Sequence, residues 1–191
     1  MSDRNLLLSI TIPQFITHCL KRPLAKNKKP GSSSPYFKIG GNAFYSQSLN
    51  YFTRAFVVKE LHKFISSYVP QKIKITDPVI IEILYYCPRN MGDVAIGRDK
   101  QTGEYKIRWK PYNKDYKSDW DIQNLDSIWS KVIIDELRGK IHNGIKVTEG
   151  ILQDDSVDYV RRGEYEFIET PDINDRKIII NIYGYTPTRV V

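Results

Sequence analysis

The chain has 191 residues, is 41% hydrophobic, and carries a formal net charge of +7. Residues 1–118 hold 20 Lys+Arg against 8 Asp+Glu, and residues 119–191 hold 9 against 14, so a basic half adjoins an acidic one. This length suits one domain with its own core, 1–191. The absence of any run of about 18 apolar residues excludes a membrane-spanning helix.

In chain order, "LLLSITIP" reads as a first strand, because its apolar stretch is short and stops at Pro13. A long Pro/Gly/Ser/Lys segment follows, "HCLKRPLAKNKKPGSSSPYFKIGGN", and its basic loop spans 20–42. Loops of that length in a compact domain are functional or disordered. Lys21, Arg22, Lys26, Lys28 and Lys29 cluster there, with Tyr36 and Phe37 behind them. That mixture suits nucleic-acid binding through phosphate contacts with some stacking, and equally a solvated loop.

From Ser46 to about Tyr68, Leu49, Phe52, Phe56, Leu61 and Phe64 recur at helical spacing, which predicts a helix on a sheet with its aromatics in the core. "PVIIEILYYCP" is a second strand, rich in β-branched and aromatic residues and closed by Pro88. Residues 93–110 form a hairpin turning at "DKQTG", where Gly103 supplies the turn. A helix then runs from roughly Asp121 to Leu137, burying Ile122, Leu125, Ile128, Trp129, Val132, Ile133 and Leu137. Two further strands lie in "ILQDDSVDYVRRGEYEFI" and "RKIIINIYGY". The order predicts an α+β (mixed α/β) single small domain, a sheet packed by two main helices.

Several patterns carry no chemistry. "GDVAIGRD" lacks the GK[ST] of a phosphate loop, "PDINDRK" fits a loop entering the last strand, and His18, His62 and His142 have no zinc spacing. Cys19 and Cys87 are isolated, without CxxC spacing, so neither is a good nucleophile and a reducing, cytoplasmic setting is expected. No organic cofactor is implied.

The acids around the last helix are more informative. On its polar side Asn124, Lys131 and Asp135 form one narrow stripe, Lys131 about 20° to one side of Asn124 and Asp135 about 20° to the other. Asp119 and Asp121 stand at the entrance, and Asp154 and Asp155 precede "SVDYV". If that strand lies beside the helix entrance, Asp119, Asp121 and Asp155 converge. Such a set suits a hard cation such as Mg²⁺, with Mn²⁺ as a substitute, and a nearby lysine can stabilise charge on a phosphate under attack. The structural alternative makes Asp119 or Asp121 a helix cap, pairs Lys131 with Asp135 at i, i+4, and puts Asp154 or Asp155 in a turn.

The motif order resembles the RusA family of Holliday-junction resolvases. "DWDIQNL", Lys131, "DEL" at 135–137 and "QDDSVDY" at 153–159 fall in the family's sequence of D-x-D-N-L, lysine, helix end and D-D. The resemblance implies a RusA-like fold, Asp119, Asp121 and Asp155 as Mg²⁺ ligands, and Lys131 as the catalytic lysine. Asn124 and Asp135 match accompanying positions. It also implies a homodimer that binds branched DNA and cuts four-way junctions symmetrically.

Two departures stand out. Asp121 is followed by "IQN" rather than Asn, and Lys131 comes about one helical turn late, so that Asp126 competes for a metal role, on a different face from Lys131. The 93–110 hairpin is an apparent insertion. A competing reading is a non-catalytic basic DNA-binding protein on the same scaffold.

Overall fold

The computed structural model describes residues 4–13, 18–20, 36–38, 41–46, 50–70, 72–87, 93–98, 105–110, 122–139, 141–142, 145–146, 150–153, 159–171 and 173–184. In chain order the elements are β1 (Asn5–Pro13), β2 (His18–Leu20), β3 (Tyr36–Lys38), α1 (Gly41–Phe44), α2 (Tyr51–Ser66), β4 (Val79–Cys87), β5 (Asp93–Arg98) and β6 (Tyr105–Lys110). They continue with α3 (Ile122–Arg138), β7 (Ile141–His142), β8 (Ile145–Lys146), β9 (Val160–Glu169), a 3-10 turn at Ile173–Asp175, and β10 (Lys177–Gly184).

Four strands build the main sheet in the order β1-β10-β4-β9. β10 pairs antiparallel with both β1 and β4, while β4 pairs parallel with β9, so the sheet is mixed. The alternation in "VIIEILYYC" explains how the core is laid out: Val79, Ile81, Ile83, Tyr85 and Cys87 are buried, and the residues between them are half-buried. Register then matches apolar to apolar. Ile178, Ile180 and Ile182 stand opposite Tyr85, Ile83 and Ile81, and Ile12 and Ile10 stand opposite Ile178 and Ile180. One face of the sheet is thereby continuously apolar, each buried side chain contributing about 1.5–3 kcal/mol.

α3 covers that face. Its 3.6-residue period buries Leu125, Ile128, Trp129, Val132, Ile133 and Leu137, as the sequence pattern predicts, while the side chain of Ile122, expected on the same side, lies outside those described. α1 and α2 both pack on α3, and the Phe64 ring meets Trp129 edge-on at 6.3 Å between centroids. The result is a small α+β domain with a four-stranded mixed sheet and two main helices. Among the described residues, no helix is long and apolar enough to cross a membrane.

α2 differs from the sequence expectation in start and phase. Asn50 caps it, its side chain accepting from Phe52 N at 2.8 Å, so the described helix begins at Tyr51 rather than Ser46. The buried stripe is Val57, Leu61 and Ile65, joined by Glu60. Phe52 is not in the core but 78% exposed. At about 100° per residue it lies about 180° from Leu61, because the apolar spacing slips by one residue between Phe56 and Leu61.

A second sheet has the order β3-β2-β5-β6. β5 and β6 are antiparallel, Asp93 opposite Lys110, and β2 joins β5 in parallel. The stretch read as one long loop is therefore strand at its two ends, where His18 pairs with Lys38 and Leu20 with Tyr36. The strand expected to start near Ile151 begins at Val160 instead. Ile151 and Leu152 are buried separately, Leu152 bridging to Ile75 and donating its N–H to Leu137 O at 2.9 Å.

That last bond closes the C-terminal end of α3, which Gly139 stops at φ 87°, a conformation that favours glycine. Gly150 packs directly under the same turn: an added Cβ would come within 2.1 Å of Arg138 C and 2.2 Å of Leu137 O. Both are backbone atoms and cannot step aside. Gly150→Ala should therefore destabilise the domain by about 2–3 kcal/mol, read as a lowered urea midpoint at unchanged slope.

Candidate functional site

The acidic helix meets the sheet through one buried carboxylate. Asp126 lies on the apolar stripe of α3, three residues before Trp129 and seven before Ile133, and is buried. A charge in that position needs partners. The Tyr85 hydroxyl, rising from β4, donates to Asp126 Oδ1 at 2.8 Å, and Arg162 of β9 forms an ion pair with Oδ2. The Ser130 hydroxyl, one turn later, donates to the Asp126 carbonyl at 2.7 Å.

A bulge makes the arginine available. Arg162 aligns with Ile81 and Tyr165 with Ile83, so three steps along β9 match two along β4. The extra residue lets Arg162 and Tyr165 share the helix-facing side, where the guanidinium sits 5.1 Å from the Tyr165 ring centroid. Gly163, inside the bulge, passes so near β4 that a Cβ there would come within 3.0 Å of Ile81 O.

This arrangement corrects the reading of Asp126 as a rival metal ligand. Its carboxylate is turned into the protein and already neutralised by Arg162. Removing one partner of such a pair costs about 3–5 kcal/mol when both are fully buried, and less here, because the Arg162 side chain is 44% exposed.

The polar stripe of α3 is observed in part. Lys131 Nζ lies 3.4 Å from Asp135 Oδ2, the i, i+4 pair that the spacing anticipates, and Arg138 Nη2 lies 3.7 Å from Asp135 Oδ1. Asn124 is in the first turn of α3, and its side chain lies outside the described residues. Asp119, Asp121, Asp154 and Asp155 also lie outside them, as do Lys21, Arg22, Lys26, Lys28 and Lys29.

The described neighbours of those acids are informative nonetheless. Asp119 and Asp121 lead directly into the turn of α3 that Asp126 fixes to β4 and β9. Leu152 and Tyr159, on either side of Asp154 and Asp155, are tied elsewhere: Leu152 to Leu137, and Tyr159 to Ile75 and Val79. Leu137 is roughly 16 Å along α3 from Asp126 at about 1.5 Å per residue.

The remaining described carboxylates near the helices are engaged. Glu136 faces His62 across the α2–α3 contact, Oε2 to Nδ1 at 2.7 Å, and Glu60 holds Lys63 Nζ at 3.0 Å. Among the described residues no group of three or more His, Cys, Asp or Glu could hold a metal ion. The carboxylates expected from the sequence to hold a hard cation, Asp119, Asp121 and Asp155, lie outside that set of residues. Burial pushes the Cys87 thiol up to about 12, so it stays protonated and inert near neutral pH.

Searched against protein-family models, curated proteins and solved structures, the chain matches none.

Sequence reasoning missed Tyr85 and Arg162. The available signals were an Asp on an apolar stripe, which demands a partner, and a glycine inside a strand pattern, which marks a bulge. Two outcomes follow. Burial holds the Tyr85 pKa well above the ordinary tyrosine value, with the Arg162 charge opposing. The folded state therefore keeps a proton that the unfolded chain gives up near pH 10. The stability this contributes is complete below pH 10 and is lost above it, at about 1.4 kcal/mol per pH unit. Tyr85→Phe should cost about 1–2 kcal/mol at pH 7 and flatten that alkaline loss, measured by urea unfolding from pH 7 to 11. Lys131→Ala, on a side chain 56% exposed, should cost no more than about 0.5 kcal/mol.

Proposed function

We propose that the protein is a Mg²⁺-dependent, structure-selective DNA endonuclease of the RusA type, acting as a homodimer on four-way junctions. The observation that carries this reading is the Tyr85–Asp126–Arg162 contact. It engages Arg162 beside the N-terminal turns of α3, on an acid that points inward. Asp119 and Asp121, which immediately precede those turns, then call for a different counter-charge. The basic half of the sequence supplies the complementary feature, since phosphate binding needs cations and gains nothing from carboxylates unless these hold a metal.

In this reading Asp119, Asp121 and Asp155 hold the ion, which when bound polarises a phosphodiester and lowers the pKa of a water. Asp126 acts through position, fixing the angle at which α3 leaves the sheet. Lys131 stands on the outer face of α3, paired among the described residues with the partly exposed Asp135 carboxylate, and a substrate phosphate can take over that ammonium. Lys21, Arg22, Lys26, Lys28 and Lys29 provide the sequence-independent grip on the backbone.

The Lys131–Asp135 pair also favours a second reading. If the lysine serves only that pair, the same scaffold is a basic DNA-binding protein without catalysis. A labelled four-way junction separates the two. The nuclease should cut it only with Mg²⁺ or Mn²⁺, and Asp121→Asn or Asp155→Asn should abolish cutting while junction affinity persists. Lys131→Ala should lower the single-turnover rate by roughly 100-fold. Binding without cutting under every metal condition would establish the second reading, and cutting in EDTA would refute the first.

A further inference from the structure

The outer face of α2 has no role in the reading above, and its composition is unusual. Tyr51 is 75% exposed, Phe52 78% and Tyr45 54%, so three large rings stand in solvent within eight residues of sequence. Isolated exposed apolar residues need no explanation, but a cluster does. The rings are ordered against one another: Tyr51 and Phe52 meet edge-on at 5.7 Å between centroids, and Phe44 and Tyr45 at 5.3 Å.

Arg54 ties the two pairs together. It lies one turn from Tyr51 on α2, its guanidinium carbon is 5.5 Å from the Phe44 ring centroid, and its Nη2 donates to Ser46 O at 3.2 Å. Arg54 thereby holds the end of α1 to the helix whose first turn carries the exposed Tyr51 and Phe52 rings.

Positive charge continues along the same helix face. Lys59 is seven residues beyond Phe52 and Lys63 eleven, so at about 100° per residue both lie within about 20° of its azimuth. Their rises are about 10 Å and 16 Å. Both lysines are exposed, and Lys63 has Glu60 as an internal partner at 3.0 Å. A strand of nucleic acid laid along α2 meets rings first and ammonium groups after. The sign of the partner follows from the lysines and from the basic half of the chain to which α2 belongs, and the flat apolar element follows from the rings.

We infer that the outer face of α2 is a platform for single-stranded nucleic acid, in which unpaired bases stack on Tyr51 and Phe52, assisted by Tyr45 and Arg54, and phosphates follow Lys59 and Lys63. Stacking on aromatic rings is indifferent to sequence and requires bases free of the duplex. The inference deepens the nucleic-acid reading by naming unpaired bases as a recognised feature, and it does not depend on catalysis.

The test uses the full chain and a single-stranded 20-mer carrying 2-aminopurine, with the matching duplex as control. Wild type should bind the single strand and quench the 2-aminopurine. Tyr51→Leu/Phe52→Leu keeps the surface apolar but removes the ring faces. It should weaken single-strand binding by about tenfold or more and abolish quenching, with duplex binding unchanged. Lys59→Gln/Lys63→Gln should flatten the slope of log K against log salt by up to about 1.4 units for single strands. This second variant alters only exposed ends and reads the platform even if the first folds poorly.

Unchanged single-strand affinity in both variants overturns the inference, as does equal loss for duplex and single strand. A wild-type dimer that becomes monomeric in the leucine variant, with single-strand binding retained, assigns the outer face of α2 to a second copy of the chain instead. Junction cutting without quenching removes the platform alone. Quenching without any metal-dependent cutting removes the nuclease reading alone.

Discussion

One buried carboxylate governs how the helical layer sits on the sheet. Asp126 lies on a helix face that is otherwise apolar, so α3 can pack only where a cation and a donor await it. Tyr85 and Arg162 supply these from adjacent strands that run parallel. A greasy helix on a greasy sheet slides and rotates at little cost. An ion pair with a fixed hydroxyl permits one register. The bulge in β9 is part of the same constraint, because without the extra residue Arg162 and Tyr165 would face opposite sides of the sheet.

That registration anchors the two ends of α3 differently. The direction in which α3 begins is dictated by Asp126, bound to Tyr85 near the C-terminal end of β4. Leu152 bonds to Leu137 at the far end of α3, and Tyr159 bonds to Ile75, which itself bridges to Leu152.

Strongly periodic elements were legible from residues alone. α3 declared itself through its apolar stripe, and β4 through its β-branched and aromatic alternation. The α+β class followed from the order of elements. α2 was legible in existence but not in phase, since periodicity cannot distinguish a ring that packs from one that stands in water when the spacing slips between Phe56 and Leu61. The role of Asp126 was hidden for a different reason. Its partners lie 41 residues before it and 36 after it, on strands whose adjacency no local pattern reveals. The i, i+4 pair of Lys131 and Asp135 was legible because both members share one helix. The expected convergence of Asp119, Asp121 and Asp155 involves residues outside those described, and neither spacing nor periodicity encodes it.

The strand order has a consequence for the chain during synthesis. β10 contributes the interior row of Ile178, Ile180 and Ile182, yet it is the last of the described strands to be made. Until residues 177–184 leave the ribosome, β1 has no neighbour in the main sheet and one side of β4 is an open edge. A nascent chain of about 150 residues therefore carries two unpaired, isoleucine-rich strands for several seconds at typical elongation rates. Among the described strands β1 is thus the first to emerge, and it waits for β10, the most C-terminal of them, before it can pair in the main sheet.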